Sequence, residues 1–130
     1  MTVAEVGAVA QAFHDGVAER DAAALASLYD ENGRFLPPNM EPAEGRPAIR
    51  AAMQSLLDMG ASSLDIEPID VTEAGELTIE YGRYTLGIEP AGAAPMTDVG
   101  KYIVVHRAQP DGSTKIVLDC FNSNSPPPAA

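Results

Sequence analysis

The sequence predicts an α+β domain in which helices cover one face of a curved sheet. Apolar residues recur every three or four positions as far as Gly60, then at every second position from Leu64 onward. The order matters as well: helices come first and an unbroken run of strands follows, with no repeat and no internal linker. Val3, Val6, Ala10, Phe13 and Val17 make one helical stripe. Asp21 is an N-cap for a second helix over DAAALASLYDENG, with Leu25, Leu28 and Tyr29 inward and Gly33 ending it. A third helix spans GRPAIRAAMQSLLDMG, with Pro47 in its first turn, Ile49, Met53, Leu56 and Leu57 on its stripe and Gly60 closing it. Between the second and third lies GRFLPPNMEP (33–42), whose apolar Phe35-Leu36 stops at Pro37-Pro38. It reads equally as a connector or as the wall of a binding site.

The strands follow with their punctuation. Leu64, Ile66, Ile69 and Val71 form one, interrupted at Pro68, and EAGE (73–76) turns the chain. In the next, Leu77, Ile79 and Tyr81 are odd-numbered while Tyr84, Leu86 and Ile88 are even-numbered. That change of phase at Gly82-Arg83 predicts a β-bulge that bends the strand. After the loop PAGAAP (90–95), TDVGKYIVVHR and TKIVLDCFN are joined through QPDGS, where Asp111-Gly112 signals a hairpin. Residues 1–125 make one domain, and 126–130 form a Pro-rich flexible tail.

Charge narrows the partners. Eight Lys and Arg against 19 Asp and Glu give a net charge of −11, which repels a phosphate backbone or an anionic membrane surface. Nucleic acid and membrane are therefore not expected partners. The single cysteine, Cys120, has no partner for a disulfide and lies in an apolar run, so a buried, inert thiol is expected. No signal-peptide pattern and no apolar run of about 20 residues is present, which predicts a cytoplasmic location.

The chemistry is sparse. His14 and His106 are the only histidines, and neither H-E-x-x-H nor C-x-x-C occurs, so no metal site is expected. The G-x-S-x-G elbow, the P-loop and G-x-G-x-x-G are also missing, and no organic cofactor is called for. His14 belongs on the exposed side of the first helix and His106 near a strand end at the surface. What stands out is polar groups set into apolar strands: Lys101 and Tyr102 in VGKYIVV, Asp119 in KIVLDCFN. A carboxylate inside an apolar strand is costly unless paired. The hairpin sets Lys101 and Asp119 on neighbouring strands, either as an ion pair at the rim or with Asp119 pointing to solvent, or as a pair inside a cavity with a tuned pKa. Tyr29, Tyr81, Tyr84 and Tyr102 are candidate phenol donors.

The segments RDAAALASLYDENGRF, EGRPAIRAAM and GKYIVVHRAQPDGSTKIVLDCFNSN, in that order, resemble the nuclear transport factor 2-like superfamily, and its SnoaL-like branch in particular. The resemblance runs from Val3 to Ser125. It implies a cone: three N-terminal helices packed in a curved, mixed but mainly antiparallel sheet, with an apolar cavity at one end and a homodimer formed through the sheet. GRFLPPNMEP then becomes the first strand and the mouth. The superfamily includes ketosteroid isomerases, polyketide cyclases and epoxide hydrolases, as well as non-enzymatic domains, so fold does not settle function. The aspartate base of the isomerases falls on Pro37 and their oxyanion tyrosine on Phe13. Thr114 stands where SnoaL-like relatives often have tryptophan. The same alignment sets Asp119 and Phe121 on the cavity side.

Two readings follow. In the first, the cavity binds a compact apolar molecule that carries oxygen, and cofactor-independent isomerase, cyclase or hydrolase chemistry takes place. Asp119 is then the general acid or base, with Lys101 or a tyrosine holding an oxygen. Phe13, Phe35, Leu36, Met40, Met53, Leu57 and Phe121 then line the pocket. In the second, the same cone is a non-catalytic ligand-binding or dimerisation domain.

Overall fold

Thr2 starts the first helix, α1 (Val3–Ala18), because its hydroxyl accepts from the Glu5 N–H at 3.1 Å and so satisfies a donor that the helix cannot. Asp21 does the same for α2 (Ala22–Ala26) through the Ala24 N–H at 3.0 Å. The computed structural model describes residues 1–126, so the expected tail falls outside the described residues except for its first proline. After α2 come β1 (Tyr29–Leu36), β2 (Ala43–Glu44), α3 (Arg46–Asp58), β3 (Ala61–Ala74), β4 (Leu77–Ile88), β5 (Met96–Ala108) and β6 (Thr114–Ser123).

The six strands form one mixed sheet in the order β2-β1-β6-β5-β4-β3. Only the β1–β6 pair is parallel. Its concave face takes up the helices, with α1 against β3, and α3 against β1 and α2. Leu25, Ile49, Leu57 and Ile116 are almost wholly buried between the layers.

Three expectations are overturned here. The second helix stops at Ala26 and does not run on to Asn32; Tyr29 opens a strand, and Gly33 lies inside that strand. Local propensity for helix is outweighed by pairing with β6, where the Ile116 N–H donates to the Leu28 carbonyl at 3.0 Å and Tyr29 is fully buried. Secondly, β4 contains no bulge at Gly82: its register with β5 runs unbroken from Leu77 opposite Arg107 to Ile88 opposite Met96. The extra residue sits in β3, where pairing shifts between Pro68 and Asp70. Thr78, Glu80, Gly82 and Tyr84 all turn inward, so the odd-numbered apolar residues Ile79 and Tyr81 belong to the outer face. Thirdly, Cys120 is exposed. With Asp119 buried beside it, the two-residue alternation of a strand turns Cys120 to the opposite side.

Candidate functional site

The concave face of β4, β5 and β6 is built in rows by the strand register. Glu80, Val104 and Asp119 form one row; Thr78, His106 and Ile116 lie on one side of it, and Gly82, Tyr102 and Phe121 on the other. The next row pairs Tyr84 with Gly100. The tripeptides Gly82-Arg83-Tyr84 and Gly100-Lys101-Tyr102 therefore face each other, each tyrosine opposite the other's glycine. A Cβ at Gly82 would lie 2.6 Å from the Tyr102 ring and 2.5 Å from the Glu67 carbonyl. Glycine at both positions lets the two phenols lie flat across the sheet and reach carboxylates along it.

These rows close over a cavity of about 100 Å³. Phe13 and Val17 of α1, Met53 and Leu57 of α3, and Phe35 of β1 make much of its apolar wall. A file of rings continues it: Phe13 to Tyr29 and Tyr29 to Phe35 at 6.1 Å, Phe35 to Phe121 at 5.7 Å, and Tyr84 to Phe121 at 5.4 Å. Three of these four contacts are edge-to-face, the arrangement favoured by ring quadrupoles.

Two polar groupings interrupt the apolar wall. In one, the Tyr29 hydroxyl donates to Asp119 Oδ2 at 2.5 Å. In the other, the Tyr102 hydroxyl donates to Glu80 Oε2, and His106 Nε2 lies 2.8 Å from Glu80 Oε1. All five side chains border the cavity, and each residue is no more than 7% exposed. His106 Nδ1 is buried and has no hydrogen-bond partner among the described residues. Toward the end of the sheet where β5 begins, Asp98 accepts from Tyr84 at 2.9 Å and from Ser123 at 2.5 Å.

Burial sets the titration of the site. It pushes the Asp119 carboxyl from an ordinary 3.8 up to about 6; the Tyr29 hydrogen bond and His106 pull it back, while the charge of Glu80 pushes the same way as burial. Burial likewise drives the Tyr29 phenol well up, and Asp119 adds to the shift, so Tyr29 is a donor at any neutral pH. Tyr102 and Tyr84 are raised for the same reason, reinforced by Glu80 and Asp98 respectively.

Of the residues expected at the site, Phe13, Tyr29, Phe35, Met53 and Leu57 line the cavity from β1 and the helices. Tyr84, Tyr102, Asp119 and Phe121 line it from the sheet. Leu36 and Met40 are not among its walls: Leu36 is half-buried at the end of β1, and Met40 is exposed beyond it. The expected Lys101–Asp119 pair is overturned. Lys101 is opposite Asn122 and Asp119 is opposite Val104, so the lysine occupies the outer face, its Nζ 3.4 Å from the Ser123 carbonyl. Tyr81 is also outside.

His106, expected at the surface, is 1% exposed. His14 is partly exposed, its Nδ1 3.1 Å from the Leu64 carbonyl and 3.2 Å from Asp65. Glu80 was not anticipated. Both faces of β4 and β5 carry apolar side chains, which hides the inward phase in the sequence. The paired Gly-x-Tyr tripeptides do mark that phase, because Glu80 and His106 lie an even number of residues from Gly82 and Tyr102.

The SnoaL-like domain family matches residues 10–117. No curated protein matches. Among solved structures, a ketosteroid isomerase-like protein from Erwinia carotovora atroseptica is similar at 17% identity with a TM-score of 0.84, covering 95% of this chain and 97% of its own. A nuclear transport factor 2-like superfamily protein from Salmonella enterica is similar at 12% identity and 0.80, covering 94% and 90%. ActVI-ORFA from Streptomyces coelicolor is similar at 17% identity and 0.76, covering 93% and 96%. At these identities the likeness is one of fold.

Proposed function

Since the chain belongs to the SnoaL-like domain family of the nuclear transport factor 2-like superfamily, we propose that its cavity binds a compact, mostly apolar molecule carrying oxygen, and that Asp119 exchanges a proton with it. The observation that carries this reading is the Asp119 carboxyl, enclosed by apolar walls and pushed up to about 6. A group whose pKa lies near the working pH is both protonated and ionised to a useful extent, which suits isomerase- or cyclase-like chemistry. Tyr29 engages Oδ2 and fixes the carboxyl plane, leaving Oδ1 for the ligand. Proton transfer of this kind needs no metal or organic cofactor. The volume limits the ligand: about 100 Å³ is below the ~150 Å³ cavity that accommodates benzene, so a single small ring is the upper limit and enters only if the apolar walls give way.

Thermal denaturation with compact apolar probes tests the binding. A probe present at ~100 times its dissociation constant is expected to stabilise the protein by ~2.7 kcal/mol. If toluene and its small aromatic relatives leave the melting temperature unchanged at saturation, the cavity is packing space and the reading fails.

The second reading, a dimerisation domain, is favoured by the outer face of the sheet. Ile69, Ile79, Tyr81 and Ile103 are 53%, 39%, 46% and 51% exposed, and Tyr81 sits opposite Ile103. An apolar surface of this kind on a sheet marks an interaction site. We propose that a second copy covers it, which leaves the cavity on the concave side free. Ile103→Lys is then expected to give a monomer in sedimentation velocity while cavity binding persists; a wild-type protein that is monomeric at every concentration overturns the homodimer.

A further inference from the structure

A residue of the cavity wall carries a buried polar atom that takes no part in the Asp119 hydrogen bond. His106 borders the cavity at 1% exposure, yet its Nδ1 has no partner among the described residues. Leaving a polar atom buried and unpaired carries a free-energy cost, and such an atom in a cavity wall asks for a ligand atom. The ring's other nitrogen is engaged. Nε2 lies 2.8 Å from Glu80 Oε1, and a carboxylate only accepts, so Nε2 carries the hydrogen. Glu80 is itself held through its other oxygen by the Tyr102 hydroxyl. In the neutral form of the ring this fixes one tautomer, the one with its lone pair at Nδ1.

We propose that His106 Nδ1 is a second ligand contact in the cavity, an acceptor that selects molecules with a hydroxyl group, with Glu80 and Tyr102 as the positioning residues that hold its tautomer. This rests on the cavity-binding reading above and narrows it: the ligand is a cyclic alcohol, phenol or enol, not a plain hydrocarbon or a simple ketone. The flanking side chains agree with a single acceptor in an apolar surround. In register with His106, Ile116 is apolar, and Thr78 has its hydroxyl 3.5 Å from the amino group of Met1. Asp119, in the neighbouring row, then meets another part of the same molecule.

Phenol and toluene, nearly identical in shape, separate the hydroxyl from the ring. His106→Gln is the informative variant, because the glutamine Nε2 can still donate to Glu80 while its one acceptor, Oε1, lies a bond further from the backbone than the Nδ1 it replaces. The ratio of phenol to toluene affinity, measured by calorimetry on the full chain, is expected to fall about tenfold in His106→Gln, the worth of one hydrogen bond. Toluene affinity is expected to change by less than about threefold, since the apolar walls are untouched. If His106→Gln does not fold, ¹⁵N NMR of the wild-type imidazoles decides instead. Nδ1 is expected to resonate as an unprotonated nitrogen and to shift on addition of phenol but not of toluene. An unchanged ratio, a hydrogen on Nδ1, or an Nδ1 signal unmoved by bound phenol overturns the assignment while leaving the cavity-binding reading intact. Binding of neither probe overturns both.

Discussion

Asp119→Asn is expected to be more stable than the natural protein by about 2 kcal/mol at pH 7, and no more stable at pH 4. The sign follows from the raised pKa. The folded carboxyl titrates at about 6 and the unfolded one near 3.8. Between these values the native state holds a proton that the unfolded chain has lost. Stability associated with this group is therefore fully present below the unfolded value, falls as the pH rises, and is gone above the folded value. Just over two pKa units amount to about 3 kcal/mol. Asparagine recovers most of that, because its Oδ1 still accepts from Tyr29 while its amide hydrogens gain no partner. Urea unfolding of both proteins from pH 4 to pH 8 measures it, and a difference that does not depend on pH would remove Asp119 as a strained buried acid. Proton transfer would be lost in the same variant, by about 10²- to 10⁴-fold if Asp119 is the general acid or base. A stabilising change that abolishes activity is the usual mark of a functional group held against its preference.

Gly100→Ala is expected to cost about 3 kcal/mol or more, near the upper end of what a single methyl group does by overpacking. The added Cβ would fall against the Asn122 carbonyl oxygen and the Tyr84 hydroxyl, and 2.5 Å from a ring carbon of Tyr84. The Asn122 carbonyl belongs to the backbone of β6 next to Gly100, so relief means breaking the β5–β6 ladder; Tyr84 would also have to leave Asp98. Gly7→Ala is the control: an exposed position within α1, with nothing within 4 Å of a new Cβ. There the change is expected to stabilise by about 0.5–1 kcal/mol through helix propensity. Chemical denaturation of the two variants beside the parent gives both values, and equal effects would refute the crossed Gly-x-Tyr arrangement.

Legibility follows from how local each signal is. The stripe Val6, Phe13, Val17 and the stripe Ile49, Met53, Leu57 are legible because a helix writes its buried face into a spacing of three and four, and all six residues are buried. The Asp111-Gly112 hairpin is legible because the turn needs those residues. The sequence puts Tyr29 on a helix because its own strand partner, Ile116 of β6, is some 90 residues away. The phase of β4 was misread because Ile79 and Tyr81 are apolar yet exposed. A chain that keeps both faces of a sheet apolar removes the contrast on which alternation depends. The face of Lys101 is open in the sequence for the same reason, since a shift of one residue in register moves a side chain to the other face.

The sequence by itself determined the α+β class, the positions of α1 and α3, the strand boundaries from Leu77 onward, and an acid in the last strand that burial would make costly. The tertiary structure alone decided which residues meet that acid. Tyr29 comes to Asp119 across the parallel β1–β6 pair, and Glu80 and His106 meet between two strands joined by a long loop. Such contacts depend on register and sheet curvature, which are set by the sum of all strand pairings. Tyr29 reaches Asp119 only through the pairing of β1 with β6, and Glu80 reaches Tyr102 and His106 only through the register of β4 on β5.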